Sequence, residues 1–119
     1  MFKLLTEKIT PKELHERLKR NEKVFLLDVR AEEKFQAEHI SAPQMESLNI
    51  PKTIIFEAEE TKEDAKLSLS KEDEIIVTCT TGNSAAKCAN ILSSLDYKVK
   101  VLDGGLTAWK EYQKSLEKK

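Results

Sequence analysis

Cys79 opens a stretch reading Cys79-Thr80-Thr81-Gly82-Asn83-Ser84, in which nearly every residue offers something to an anion. The run before it, Ile75-Ile76-Val77-Thr78, is short and apolar and reads as a strand buried on both faces. After it, Ala85, Cys88, Ala89, Leu92 and Leu95 recur at helical spacing and form one apolar stripe. Cys79 therefore stands at the carboxyl end of a strand, just before a helix. Ligands of open α/β sheets bind outside such strand ends. A loop that turns into a helix points backbone N–H groups inward, and the positive end of the helix dipole adds to them. An anion is favoured there, and a thiolate is both an anion and a nucleophile. Gly82 permits a turn that a side chain would hinder. Thr80, Thr81 and Ser84 add hydroxyl donors, and Asn83 or Ser84 can cap the helix. The competing reading is an inert, buried cysteine at a strand end, a common fate for this residue. The residues alone leave both open.

Other chemical side chains are weaker candidates. Cys88 lies on the apolar stripe and reads as core. A Cys79–Cys88 disulfide is not expected. The chain has two cysteines and two histidines, with no Cys-x-x-Cys pair and no Cys/His set at zinc spacing, so no metal is expected. His15 falls on a charged helix facing solvent, and His39 reads as a structural hydrogen-bonding residue rather than a general base. Asp28 and Arg30 share a strand end, where a structural ion pair is favoured over direct action at the site. The acidic run after Phe56 reads as a solvated face.

The chain has 119 residues, which suggests one domain spanning 1–119, large enough to bury a core without disulfides or metal. Its 20 basic and 21 acidic residues nearly cancel, which gives no reason to expect nucleic acid or a membrane as partner. No apolar run approaches a membrane span and no targeting segment is legible, so a soluble, cytoplasmic protein is expected.

The elements that must position Cys79 follow from pattern. Phe2–Leu5 could be a short edge strand. Thr10, Pro11 and Glu13 form a helix start with a capping box, and Ile9 and Leu14 stand at the positions of a hydrophobic staple. That helix should fade near Arg20-Asn21. Val24-Phe25-Leu26-Leu27 reads as a buried strand ending at Asp28-Val29-Arg30, followed by a short helix through Glu32–Phe35. Between Ile40 and Asp73 the pattern is least legible: a strand is expected within Met45–Ile50, and Pro51 is expected to open a helix containing Ile54, Ile55 and Phe56. Lys98–Leu102 alternates as a strand, Gly104-Gly105 turns, and Leu106, Trp109, Tyr112 or Gln113, and Leu116 mark a last helix. Strands alternating with helices imply an α/β layer fold with a mostly parallel sheet.

Taken together, strand–Cys79-Thr80-Thr81-Gly82-Asn83-Ser84–helix resembles the active-site loop of the rhodanese (sulfurtransferase) family, where a cysteine and five further residues form a semicircular cradle. Leu26-Leu27-Asp28-Val29-Arg30 looks like that family's strand ending in Asp-Val-Arg. Glu38-His39-Ile40 and Asn49-Ile50-Pro51 resemble its His-Ile and Asn-Ile-Pro segments. Val101-Leu102-Asp103-Gly104-Gly105 with Trp109 resembles its closing motif. The resemblance covers nearly the whole chain, and the order of the motifs is more specific than any one of them. It implies a three-layer sandwich with a central sheet of about five strands, and a Cys79 that carries sulfur as a persulfide. The donor would be a small sulfane-sulfur compound or another protein's persulfide, and the acceptor a thiol or cyanide. No cofactor is implied. Cys79 would be the nucleophile, with Thr80, Thr81, Gly82, Asn83 and Ser84 as the substrate-binding cradle, its backbone amides holding the sulfur anion.

Two departures bear on activity. Many active relatives carry arginine at the sixth loop position and a basic residue at the second; here these are Ser84 and Thr80, so the loop brings no side-chain charge. This implies weak turnover of thiosulfate, with Lys87, one turn on, as a partial substitute at best. The stretch from Ser41 to Leu48 is longer than the family's usual gap and lacks its glycine. Three readings follow: a sulfurtransferase or persulfide carrier first, a non-catalytic binding or regulatory module second, and a phosphatase last, because phosphatases of this fold use a longer loop ending in arginine.

Overall fold

The chain builds a wholly parallel sheet with helices on both faces, seen in a computed structural model that describes residues 7–117. In chain order the elements are β1 (Lys8–Ile9), α1 (Pro11–Lys19), β2 (Val24–Asp28), α2 (Glu32–Ala37), β3 (Met45–Asn49), α3 (Lys52–Thr61), a 3-10 turn (Ala65–Leu67), β4 (Glu74–Thr78), α4 (Asn83–Ser94), β5 (Lys98–Leu102) and α5 (Gly105–Glu117). The strand expected at Phe2–Leu5 lies outside the described residues.

Local sequence accounts for most of these boundaries. At α1 the Thr10 hydroxyl accepts from the Glu13 amide at 3.1 Å, and the Glu13 carboxylate accepts from the Thr10 amide at 2.9 Å. This reciprocal cap satisfies two donors that a helix start would otherwise leave bare. Ile9 and Leu14 are both buried in one cluster, as a hydrophobic staple requires. The helix ends where Arg20 caps it, and Asn21 takes a left-handed φ of 61°.

The sheet order is β1-β5-β4-β2-β3, and every pairing is parallel. Alternate residues of each strand face opposite layers. Leu27, Val29, Ile75 and Val77 pack against Ile55 of α3 and Ala85, Cys88 and Leu92 of α4. Val24, Leu26 and Ile76 pack against Leu14 of α1 and Leu106 and Trp109 of α5. The result is the expected three-layer sandwich.

The topology decides where a ligand can sit. From β2 the chain moves outward to β3, then returns to the other side of β2 as β4. The strand order therefore reverses between β2 and β4, and the crevice at such a switch point is where sheets of this kind bind ligands. Register places Asp28 level with both Asn49 and Thr78, so three strands end together at this crevice. The long stretch after Ile40 closes compactly: the Met45 amide donates to the Ala42 carbonyl at 3.0 Å, and the Ser47 hydroxyl to the Ile40 carbonyl at 2.7 Å. A β-turn and an edge strand absorb the extra residues without a glycine.

Candidate active site

Cys79 follows β4 directly and is 5% exposed. Its sulfur accepts from the Gly82 amide at 3.0 Å and from the Ala85 amide at 3.3 Å. These two contacts correct the expected cap. Neither Asn83 nor Ser84 caps α4: Gly82 is the cap residue, with φ of 102°, and no side chain of its own can bond. Ala85 is the third residue of the helix, and its amide is one that a capping oxygen would normally satisfy. The Cys79 sulfur takes that place. The Gly82 and Ala85 N–H groups are thus both directed at one sulfur atom at the positive end of the α4 dipole, an arrangement that can hydrogen-bond a sulfur anion. The expected donors ran from Thr80 to Ser84; the observed pair includes Ala85, one residue beyond that range.

The loop keeps this shape because α5 holds its other side. The Leu106 amide donates to the Cys79 carbonyl at 2.8 Å, and the Thr107 amide to the Thr80 carbonyl at 3.0 Å. With those carbonyls drawn towards α5, the amides of the loop are left to face the sulfur. Gly105, at φ of 62°, lies so close that a Cβ there would overlap the Cys79 carbonyl oxygen and stand 2.8 Å from the Thr80 carbonyl group. The Gly104-Gly105 pair therefore exists for contact as well as for turning.

The sulfur opens onto a cleft of about 490 Å³. Thr80, Thr81, Asn83 and Ser84 line it beside Cys79, while Gly82 contributes its backbone amide to the sulfur. The same cleft is also lined by Arg30 after β2, Lys34 of α2 and Lys52 at the start of α3. Sequence pattern named Arg30 as a strand-end residue but did not assign Lys34 or Lys52 to the site, because nothing in periodicity tells which lysines share a cleft. Lys87, considered as a substitute for loop charge, is elsewhere: its ammonium lies 5.7 Å from the Phe56 ring centre.

Arg30 is fixed rather than free. Its guanidinium donates to both carboxylate oxygens of Asp28, at 2.7 to 3.0 Å, and to the Glu38 carbonyl at 2.6 Å. The side chains are 8% and 5% exposed, so this is the structural ion pair favoured from sequence. It also forms part of the cleft wall. Asn49 reinforces the turn by donating from its side-chain amide to the Asp28 and Arg30 carbonyls, both at 3.0 Å. Lys52 is anchored by its own amide on the Val29 carbonyl at 3.0 Å.

The remaining candidates fall outside the cleft. Cys88 is fully buried, and burial, with the nearby Cys79 adding to it, pushes its thiol up to about 12. It is a core residue. Both described cysteines are free thiols. His39 stacks on Phe35 with ring centres 4.1 Å apart and meets the Phe35 carbonyl at 2.8 Å through Nδ1, a structural role as expected. His15 packs edge-on against Tyr112 at 5.6 Å and is half-buried rather than solvent-facing. Among the described residues no cluster of His, Cys, Asp or Glu could hold a metal ion, and no helix is long and apolar enough to cross a membrane.

Comparison with known proteins places this geometry. The sequence matches the model of the rhodanese-like domain over residues 10–112. A rhodanese-related protein from Thermoplasma volcanium is 27% identical, with a TM-score of 0.68 over 89% of this chain and 92% of that one. A rhodanese-like domain protein from Staphylococcus aureus is 26% identical, with a TM-score of 0.69 over 87% and 91%. A protein of unknown function from Rhodopseudomonas palustris, described as a possible tyrosine phosphatase, has a TM-score of 0.69 over 91% and 82% but only 18% identity, which speaks for shared fold alone. No curated protein matches the sequence.

Proposed function

The chain belongs to the rhodanese-like domain family, and from that premise we propose that it is a sulfurtransferase or persulfide carrier acting through Cys79. The observation that carries this reading is the pair of amides, from Gly82 and Ala85, on a sulfur at the edge of an open cleft. In the first step the Cys79 thiolate attacks the sulfane sulfur of a donor. A bond forms between the two sulfurs, the donor's own bond to that sulfur breaks, and the remainder leaves with the electron pair. Cys79 then bears a persulfide, whose outer sulfur remains within the cleft. In the second step an acceptor nucleophile attacks that outer sulfur, and Cys79 leaves as a thiolate. The same two N–H donors that favour the starting thiolate favour it as leaving group.

The donor is a small sulfane-sulfur compound or another protein's persulfide, and the acceptor a thiol or cyanide. The residues in the cleft support this chemistry without a cofactor: Cys79 supplies the nucleophile and the backbone supplies the stabilisation. The loop's own side chains are neutral, so thiosulfate is a weak donor compared with polysulfide.

Intact mass after incubation with polysulfide tests the proposal. The wild-type chain should gain one sulfur, Cys79→Ser none, and Cys88→Ala should gain it as the wild type does, because Cys88 is buried and its thiol is held protonated. Failure of both polysulfide and thiosulfate to add sulfur at Cys79 would overturn the enzyme reading and leave a binding module.

A further inference from the structure

The segment that joins β2 to β3 is held firmly at its two ends and lightly in between. Before it, the Val29 amide donates to the Thr78 carbonyl at 3.0 Å, and the Val29 carbonyl accepts from the Lys52 amide at 3.0 Å. After it, Ile40 is buried in the core, and its carbonyl accepts from the Ser47 hydroxyl at 2.7 Å. Residues 31–39 lie between these anchors. None of them is buried, and Phe35 alone is half-buried. They include all six residues of α2. A helix this short does not hold itself in water. Its cap residue, Ala31, makes no side-chain bond, and no buried apolar side chain ties it to the sheet. Segments built this way stand at the low end of local stability. Ala31 and Lys34 nevertheless line the cleft onto which Cys79 opens.

The contacts that hold this segment converge on Glu38. Its carbonyl accepts from the Arg30 guanidinium at 2.6 Å, and its carboxylate accepts from the Lys110 ammonium of α5 at 3.0 Å. Arg30 is itself fixed by Asp28. The helix that carries Lys110 is the one whose Leu106 and Thr107 amides hold the Cys79 loop. The stack of Phe35 on His39 lies within the segment, so it stiffens the segment without tying it to its surroundings.

We propose that residues 31–39 are a lid on the Cys79 cleft that opens as a unit between Arg30 and Ile40, with Glu38 as its latch. Shut, the lid sets how broad a molecule can reach the sulfur; open, it admits a broader one. Arg30 is the inner half of the latch, with a side chain 8% exposed. The Lys110–Glu38 pair is the outer half, and at 49% and 55% exposure it is the half that salt and solvent weaken. The lid governs access to the thiol and does not depend on whether Cys79 carries sulfur.

Hydrogen exchange and thiol labelling test this together. The amides of Lys34, Phe35 and Glu38 bond within the segment. They should exchange as a group, and faster than the amides of β2. Lys110→Gln should quicken that group about two- to fivefold, the range that loss of one exposed ion pair allows, and Lys110→Arg should restore the wild-type rate. Labelling of Cys79, located by peptide mass, is then compared for the broad reagent N-(1-pyrenyl)maleimide and for iodoacetamide. The ratio of the two rates cancels any change in thiolate fraction. It should rise by the same factor in Lys110→Gln and return in Lys110→Arg. Wild-type exchange in the segment as slow as in β2 overturns the lid. A labelling ratio that Lys110→Gln leaves unchanged overturns its control of the cleft. Neither readout requires a persulfide, so failure of the sulfurtransferase reading would be seen separately, in the polysulfide mass measurement.

Discussion

The Leu106 amide holds the Cys79 carbonyl at 2.8 Å, so the last helix grips the reactive residue by its backbone. The grip depends on how closely α5 can approach. Gly105 sits in the left-handed region at φ of 62°, with no room for a Cβ against the Cys79 carbonyl. The loop and the start of α5 are in effect one backbone assembly, built from segments far apart in sequence.

Gly105→Ala should therefore damage both stability and chemistry. The left-handed backbone alone costs a non-glycine residue about 1–2 kcal/mol. Relief of the overlap must also move either α5 or the Cys79–Thr80 carbonyls. Chemical denaturation should show a loss of at least about 1 kcal/mol. Persulfide formation, measured on protein still folded, should slow because the Gly82 and Ala85 amides no longer converge on the sulfur. A variant as stable and as fast as the wild type would show that α5 does not shape the loop.

A second prediction concerns pH. Glu74, at the start of β4, is partly buried, which works against its ionisation. The Arg17 guanidinium, 2.6 Å away, and the Lys100 ammonium, 3.3 Å away, outweigh that burial and hold its carboxyl below the ordinary range. A carboxyl held low in the folded chain binds protons more readily when unfolded. Its stabilising contribution is therefore fully present above the unfolded value, about 4.3 for glutamate, and fades as pH falls through the lower folded value. Glu74→Gln should destabilise the chain at pH 7, and the difference from wild type should close as pH is lowered below about 4. Denaturant midpoints at several pH values measure this. A gap that stays constant with pH would mean that packing, rather than charge, is what the substitution removes.

How much of this could be read beforehand depended on whether the signal was local. Val24–Asp28 and Glu74–Thr78 are central strands covered on both faces, so their apolar runs are continuous and legible. The Thr10–Glu13 cap is entirely local and was legible to the residue. Met45–Asn49 is an edge strand, half-buried apart from the exposed Glu46, and its pattern is correspondingly faint. Lys8–Ile9 is a strand only because it pairs with β5, which no propensity in a two-residue segment can announce. The same division runs through the site. Cys79 and its loop stand in one stretch of sequence. Lys34 and Lys52 join them only because the strand order reverses between β2 and β4. The cap is not legible from residue type because the acceptor at the start of α4 is a sulfur from before the turn rather than an oxygen within it.

Ser84→Arg tests what side-chain charge in the loop is worth. Ser84 is the second residue of α4 and lines the cleft, so an arginine there projects towards the same space as the Cys79 sulfur. A hydrogen bond from a charged donor is worth roughly 1.5–3 kcal/mol, which corresponds to about ten- to a hundredfold in binding. Lys34 and Lys52 already give the cleft positive potential, so the gain for thiosulfate should fall at the low end, about tenfold in KM. Steady-state thiosulfate-to-cyanide transfer measures this. An unchanged KM for thiosulfate would mean that oxyanion donors are not read through charge at this position. The weak turnover expected of this loop would then have to lie in its backbone rather than in its missing arginine.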